Sequence, residues 1–419
     1  MEHNTERRVV ITGLGVVAAN GIGKESFWRA TSSGISGIKP ISRHPTSELP
    51  IAVAGEVSDF VVNDYIERKL VNRTDRVTHF VLVAVQEALQ DSNIVLEQEN
   101  PQRVGAVIAN TMGGVEYLLE QARTLYTRGP RFMSVYSAIA WLQVANAGQI
   151  SIRHGIQGYC KTPVNDTASG LNALGMAYRA IRRKAADIII AGGCEAFLYP
   201  FILFVLAHSG YAALGNDAHA YRPFDRRAAG LLAAEGAGIC MLEEYEHARR
   251  RGATIYGEIV GYGQTNDAHR LMAPSSNGSQ YARAIRLVMQ EAQLQPQDVG
   301  YFSLDGQAIP SSDQGEAEAL HMVFGNELAR LPVSVPRTML GHSYGAAGTL
   351  DAITALLALE HGLIPPTINC EELDPRYRLN LVQREGRKLF GSVVLLGGRA
   401  IGGTNVALAL QKMKGEEPS

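Results

Sequence analysis

The chain has 419 residues, of which 46% are hydrophobic and 19% are charged, and its formal net charge is −2 at pH 7. A chain of this length can bury a large core, in one duplicated domain or in two domains. It has no dense basic run, which argues against nucleic-acid binding; the cluster Arg249-Arg250-Arg251 follows an acidic run and is typical of a solvated helix. The polar N-terminus and the lack of an 18-residue apolar segment predict a cytoplasmic protein that does not enter a membrane.

The four cysteines have neither C-x-x-C spacing nor the spacing of metal ligands. We expect buried, reduced thiols, no disulfide and no metal site. The positions are Cys160, Cys194, Cys240 and Cys370.

Short apolar runs that end near glycine alternate with segments of helical period along the chain. Such runs are typical of strands buried on both faces of a parallel sheet. Between two of them, residues 169–184 place Leu171, Leu174, Ala177 and Ile181 on one helical stripe. The alternation predicts an α/β fold. The strand-like runs are 8–12, 104–109, 188–192 and 393–396.

The first run continues into a G-x-G-x-x-A pattern from Gly13 to Ala18. This pattern can form a turn that binds a dinucleotide pyrophosphate. No obvious acidic partner for a ribose ends the next strand, so we interpret the pattern as a structural tight turn and expect no cofactor.

An internal repeat supports a duplicated architecture. Residues 104–109 resemble 299–304, residues 167–183 resemble 341–360, and residues 187–194 resemble 392–399, in the same order. The repeat predicts two β-α-β halves, 1–255 and 256–419, that divide near Tyr256. No linker rich in Pro, Gly or Ser separates the halves, so we expect one compact body.

The segment PVNDTASGLNALG at 163–175 is the most informative part of the chain. It fits a strand end, a sharp turn and a helix that opens on small residues, an arrangement that exposes a nucleophile at a helix N-terminus. Thr167 occupies the turn, and its hydroxyl needs a positioned base to become nucleophilic. We favour a space-filling role for Thr167. Asp305 and His342, taken alone, fit a turn former and a core histidine as well as a site.

Nearly the whole chain, from about Arg8 to Leu410, resembles the β-ketoacyl synthase family of thiolase-fold enzymes. This resemblance implies a duplicated, five-layered αβαβα fold. The motifs that carry it are VVITGLGVV at 9–17, the segment 221–253, MLGHSYGAAG at 339–348 and IGGTN at 401–405.

The resemblance also implies a catalytic set of one Cys and two His. Matched position by position, the Cys is Thr167 and the first His is Asp305, whereas the second His is retained as His342. Ile401 stands where active members often have a phenylalanine. Two of the three catalytic positions therefore differ from the family pattern.

Residues 303–320 and 128–156 resemble chain length factors, the β subunits of bacterial type II polyketide ketosynthases. Most of these carry Gln at the nucleophile position and many lack the second His, so Thr167 and His342 both depart from the pattern. The resemblance implies a heterodimer with a ketosynthase α subunit that carries the Cys and both His. That subunit accepts acyl groups from an acyl carrier protein and condenses them with malonyl units. The strand at 159–164 lies at the two-fold axis in the family.

By the same resemblance, the chain shapes the end of the tunnel in which the polyketide grows. Val115, Leu118 and Ala122 share one helix face at i, i+3 and i+7, and Phe201 forms a further wall. Small residues on this face favour a roomier tunnel and a longer product. The alternative is an ordinary core stripe.

Two other functions stay open at this point. The chain could be a self-sufficient condensing enzyme or malonyl decarboxylase that uses Thr167 or His342. It could also be a scaffold that binds acyl carrier protein without shaping a tunnel.

Overall fold

The computed structural model describes residues 7–413, which form helices and strands in regular alternation. The helices are α1 Lys24–Ser32, α2 Arg68–Val71, α3 Arg76–Ser92, α4 Val115–Arg128, α5 Val144–His154, α6 Ser169–Arg182, α7 Pro200–Ser209, α8 Tyr245–Arg250, α9 Ser279–Glu291, α10 Pro310–Phe324 and α11 Ala347–His361. The strands are β1 Val9–Ala18, β2 Gly21–Ile22, β3 Lys39–Pro40, β4 Val53–Ala54, β5 Val104–Ala109, β6 Cys160–Lys161, β7 Ile188–Glu195, β8 Gly236–Glu244, β9 Gly257–Asn266, β10 Tyr301–Ser303, β11 Pro332–Ser334, β12 Leu363–Ile364, β13 Asn380–Leu381, β14 Arg387–Lys388, β15 Val393–Arg399 and β16 Thr404–Gln411.

The main sheet repeats one strand order twice. The first half runs β6-β5-β7-β8-β1, and the second runs β11-β10-β15-β16-β9 with β13 added beside β11. In both halves the pairs formed by the first three strands are parallel and the next two pairs are antiparallel. The halves join where β1 pairs with β9 over three residues, Val9 to Ile11. The sheet is therefore mixed, and the predicted thiolase-like duplication is confirmed.

The helices and the two sheet halves form five layers. Helices α6 and α11 lie in the middle and share one apolar core with strands of both halves. Helices α3 and α5 cover the outer face of the first half, and α9 and α10 cover that of the second. The predicted stripe of α6 is buried, because this helix has a sheet on either side.

Two local predictions are wrong. The G-x-G-x-x-A pattern lies inside β1 and forms no turn: a Cβ at Gly15 would lie 1.8 Å from the carbonyl oxygen of Ala84, so glycine lets α3 pack against the strand. Cys160 is exposed, because β6 is the last strand of the sheet, whereas the other three cysteines are buried; all four are free. Between residues 7 and 413, no helix is long and apolar enough to span a bilayer, and no group of three or more His, Cys, Asp or Glu could hold a metal ion.

The basic run at the end of α8 is only partly solvated. Arg251 donates to the buried Glu243 carboxylate through Nε and Nη2, at 2.8 and 2.7 Å. The imidazole of His247 lies 2.6 Å from Glu243 Oε1 and 3.2 Å from Glu99 Oε2. The hydrogen bond to Glu243 raises the pKa of His247.

This raised pKa predicts a stability that depends on pH. A histidine whose folded pKa exceeds its unfolded value, about 6.5, stabilises the fold below that value and loses this contribution as the pH rises through the folded pKa. His247→Gln should therefore lower the free energy of unfolding more at pH 6 than at pH 9, as measured by urea denaturation. His269→Gln, the same substitution at an exposed position, is the matched control. An equal loss at both pH values for His247→Gln would contradict the assignment.

Candidate functional site

The candidate site lies where the middle helices α6 and α11 begin. Thr167 sits in a single 3₁₀ turn, residues 166–168, directly before α6, and is 4% exposed. Its hydroxyl donates to the carbonyl oxygen of Arg399 at 2.6 Å. A carbonyl oxygen cannot take up the hydroxyl proton as a base would. In this geometry the Thr167 hydroxyl directs its proton to a backbone carbonyl and not to a side-chain base.

Asp305 is buried at the end of β10, where its carboxylate joins the two ends of the site. Oδ1 accepts from Arg337 Nη1 at 2.8 Å. Oδ2 accepts from the Gln307 amide at 2.8 Å and from the backbone N–H of Arg399 at 3.2 Å. Gln307 also donates to the Arg399 carbonyl at 2.6 Å, beside Thr167. An unpaired carboxylate would repel a developing oxyanion, but here the paired Arg337 offsets the negative charge of Asp305.

Arg337 is fully buried and binds three groups. Besides Asp305, it forms an ion pair with Asp351 of α11. The same Nη1 that binds Asp305 lies 2.8 Å from His342 Nε2. A guanidinium has only donors, so it holds Asp305, Asp351 and His342 together as acceptors.

His342, the retained histidine, has a donor at each ring nitrogen. Arg337 faces Nε2, and the backbone N–H of Tyr344 lies 3.2 Å from Nδ1. Burial and the Arg337 charge lower the pKa of His342 well below its usual value. The imidazole is therefore neutral and has a single lone-pair nitrogen. Because Arg337 has only donors, that nitrogen is Nε2, and its lone pair is not free for a substrate.

The carboxylate of Asp166 is a further polar group at the turn. The backbone N–H groups of Thr167 and Ile401 both donate to its carboxylate, the latter at 3.2 Å. Its backbone lies in the left-handed region, with φ at 49°, which is sparsely populated by residues other than glycine. Burial raises the pKa of Asp166. Two converging N–H groups are what an oxyanion of an acyl-transfer reaction requires, and here the chain's own carboxylate occupies them.

A small apolar cavity of about 220 Å³ opens beside the turn. Thr167 lines it, whereas Asp305 and His342 lie behind its wall. Sequence reasoning missed Asp166, Gln307, Arg337 and Arg399, although the charge of Arg337 between the apolar pairs Val335-Pro336 and Met339-Leu340 is a signal that it has a buried partner. The lining residues are Thr111, Met112, Asp166, Thr167, Val205, Leu206, Ser209, Tyr211, Leu231, Met272, Gln307, Tyr344 and Ile401.

The four predicted tunnel residues lie outside this cavity. Val115 and Ala122 are half-buried on α4, and Leu118 of the same helix is 36% exposed. Phe201, in the first turn of α7, is 57% exposed. Val205, one turn further along α7, does line the cavity. The tunnel role of the four residues stays a prediction.

The Asp166 carboxylate predicts the behaviour of a cysteine placed at the turn. In Thr167→Cys, Asp166 should keep the thiol pKa high, because a neighbouring carboxylate disfavours a thiolate. Asp166→Asn in the same background should lower the thiol pKa by about 1–3 units. The pH dependence of iodoacetamide alkylation measures this pKa.

Asp187→Asn, which removes a carboxylate at the remote end of α6, is the matched control and should leave the thiol pKa unchanged. Circular dichroism confirms folding of each variant. Identical alkylation profiles with and without the Asp166 carboxylate would contradict the arrangement.

Comparisons with known proteins identify the fold and its relatives. Residues 6–248 match the family described as "Beta-ketoacyl synthase, N-terminal domain", and residues 256–371 match "Beta-ketoacyl synthase, C-terminal domain". The tetracenomycin polyketide synthase ketoacyl synthase beta subunit of Streptomyces glaucescens is 38% identical over 96% of this chain and 98% of its own length. The 3-oxoacyl-[acyl-carrier-protein] synthase 2 of Synechocystis sp. is 34% identical over 98% and 100%.

Among solved structures, the ishigamide ketosynthase/chain length factor superposes with a TM-score of 0.90 at 30% identity. The match covers 98% of this chain and 100% of that one. With full-length matches of this kind to both its halves, this chain belongs to the β-ketoacyl synthase family and is similar to the β subunits of type II polyketide ketosynthases.

Proposed function

We propose that the chain is the non-catalytic chain length factor of a cytoplasmic ketosynthase heterodimer. A separate α subunit would carry the catalytic Cys and both His, take acyl groups from an acyl carrier protein, and condense them with malonyl units by decarboxylation. This chain would complete the dimer and close the end of the polyketide tunnel. Product length would then be set by steric contact between the growing chain and the tunnel end.

The observation that carries the proposal is the Arg337 guanidinium between Asp305 and His342. It contacts both at 2.8 Å in the interior of the protein, at two positions where the family pattern has histidines. Removing one partner from a buried ion pair costs about 3–5 kcal/mol. The arrangement therefore supports a structural use of this region rather than a proton-transfer use.

The surface supports a partner along the β6 edge of the sheet. β6 ends the sheet with Cys160 and Lys161 both exposed, and an unpaired edge strand is a template for pairing with another chain. A surface this rich in large apolar side chains is typical of an interface. Exposed apolar residues lie on α4, α5 and the adjoining segments: Tyr126, Phe132, Val135, Ile139, Trp141, Val144, Ile152 and Val164.

The hydrogen bonds of the site disfavour the two catalytic alternatives. The Thr167 hydroxyl donates to a backbone carbonyl, and the lone pair of neutral His342 is taken by Arg337. The likeness to the Synechocystis synthase keeps a condensing enzyme as the second candidate. A stoichiometric acyl adduct on Thr167, seen by intact-protein mass spectrometry after incubation with an acyl carrier protein thioester, would favour that candidate.

Assembly provides the first test of the proposal. Co-expressed with its α subunit, the chain should form a heterodimer that buries at least about 2,000 Å². Ile152, 81% exposed on α5 next to the β6 edge, should lie in the contact. Ile152→Asp should weaken the complex by about tenfold or more, equivalent to about 1.4 kcal/mol, as measured by analytical ultracentrifugation.

Phe390→Asp is the matched control, because Phe390 is 70% exposed near the opposite end of the sheet. That variant should bind the α subunit normally. A stable monomer in the presence of the α subunit would overturn the heterodimer proposal.

Control of product length provides the second test. Ala122→Phe adds a ring on the α4 face that is proposed to close the tunnel, so the reconstituted complex should release chains shorter by one or more two-carbon units. Mass spectrometry of the products measures this. If Ala122 is ordinary core, the ring should cost about 1–3 kcal/mol without changing the product.

Ala329→Phe adds the same ring at an exposed position in the second half and should change neither stability nor product. An unchanged product from a stable Ala122→Phe heterodimer would refute length control by this helix. Such a result would favour the scaffold alternative.

A further inference from the structure

Helix α4 is attached to the rest of the chain mainly through its first turn. Glu116, in that turn, is its one buried residue. Leu118, Tyr126 and the C-terminal turn are exposed, and the half-buried Val115 and Leu119 pack against a small core below. Beyond the first turn, the side-chain hydrogen bonds that leave α4 run to Tyr199, directly before α7, and to the surface segment that follows α4. The direction of the helix therefore depends on how its base is held.

The base is held by an ion pair between the half-buried Arg43 and the buried Glu116, which we call the Arg43–Glu116 clamp. Arg43 binds both carboxylate oxygens of Glu116, at 3.1 and 2.5 Å. Arg43 also contacts Glu235 at 3.3 Å, and Glu235 binds Arg76 at the start of α3. A bidentate guanidinium–carboxylate pair fixes both distance and orientation, so the clamp ties α4 to α3 and to the segment before β8.

Two neighbouring carboxylates complete the support. Asp75 accepts from the backbone N–H of Val77 at the start of α3 and from that of Tyr117 in α4, at 2.8 and 2.7 Å. Burial and the adjacent Glu116 raise the pKa of Asp75 to about 7. The peptide carrying Arg43 is held in turn, because Glu56 accepts from the N–H and hydroxyl of Ser42 at 2.6 and 3.0 Å. The Arg43 charge thus lies among the carboxylates at this junction.

The α4 face that is predicted to line the tunnel end consists of Val115, Leu118 and Ala122. The clamp lies at the first end of this face and Ala122 at the other. Six residues separate Glu116 from Ala122, or about 9 Å at 1.5 Å per residue. A tilt of roughly 10° at the clamp moves Ala122 by about 1.5 Å over that length. A shift of this size is comparable to a carbon–carbon bond.

We propose that Arg43 and Glu116 are positioning residues that fix the tilt of α4 and thereby make the product a single length. This inference rests on the proposed function, since it assumes that the α4 face closes the tunnel. Neither residue touches the growing chain in this account. Loss of the clamp is expected to broaden the distribution of product lengths, whereas a filled tunnel shortens it.

The test uses the reconstituted heterodimer and two measurements. The variant Arg43→Met/Glu116→Gln removes the charges of both clamp residues together. Neither residue is then left as a charge without its partner. Amide hydrogen exchange should become at least about tenfold faster in residues 118–128 than in the wild type, with α11 unchanged, and the products should span more than one length. Arg43→Lys keeps the positive charge, but a lysine cannot bind both oxygens of Glu116 as arginine does. This variant should give a narrower distribution of product lengths than the double variant and a broader one than the wild type.

Arg8→Met is the matched control, because Arg8 forms a similar two-nitrogen pair with Glu258 far from α4. It should leave product length and α4 exchange unchanged. Unchanged exchange in the double variant would overturn the clamp. Faster exchange with a single product length would also overturn it, provided that Ala122→Phe does shorten the product. If Ala122→Phe has no effect either, the proposed length function itself fails, and the inference fails with it.

Discussion

The close approach of α6 and α11 in the middle layer is the constraint on which the rest of the molecule depends. A Cβ on Gly170 would lie 2.8 Å from the backbone nitrogen of Thr349, and one on Gly348 would lie 2.7 Å from Leu171 Cγ. Both helices therefore begin at the point where they touch. The turns that precede them meet at the same place, which is why Thr167 and His342 belong to one site although 175 positions of sequence separate them.

A buried polar network occupies this meeting point. It runs from Thr167 through the Arg399 backbone to Asp305, and from there through Arg337 to His342. Donors and acceptors are matched along its length, as a buried network must be to avoid the cost of unpaired polar groups. The network connects β10, β15 and the two middle helices, so it stabilises the centre of the fold.

Much of the architecture was predictable because it depends on patterns that the sequence repeats. The apolar runs at 104–109 and 188–192 gave two strands, and their counterparts in the second half gave the matching pair. Pairings formed only in three dimensions were not predictable: Asp305, one of the partners of Arg337, lies 32 residues away, and Asp166 binds an N–H that lies 235 positions along the chain. The G-x-G-x-x-A pattern was misread because a glycine required by helix packing resembles one required by a turn. The exposure of Cys160 depends on strand order, which local sequence does not record.

The Arg337 network also bears on how such a subunit evolves. Replacing Asp305 by histidine, the one change that would recover the family residue there, leaves Arg337 with Asp351 as its remaining carboxylate and takes an acceptor from Gln307 and from the Arg399 N–H. To match the family pattern, the chain would also need a change at Thr167, so Asp305→His alone is not sufficient. Under the proposed function, the network acts as an evolutionary ratchet: with the chemistry supplied by an α subunit, a single Asp305→His substitution breaks the pairing of Arg337 before it recovers any activity.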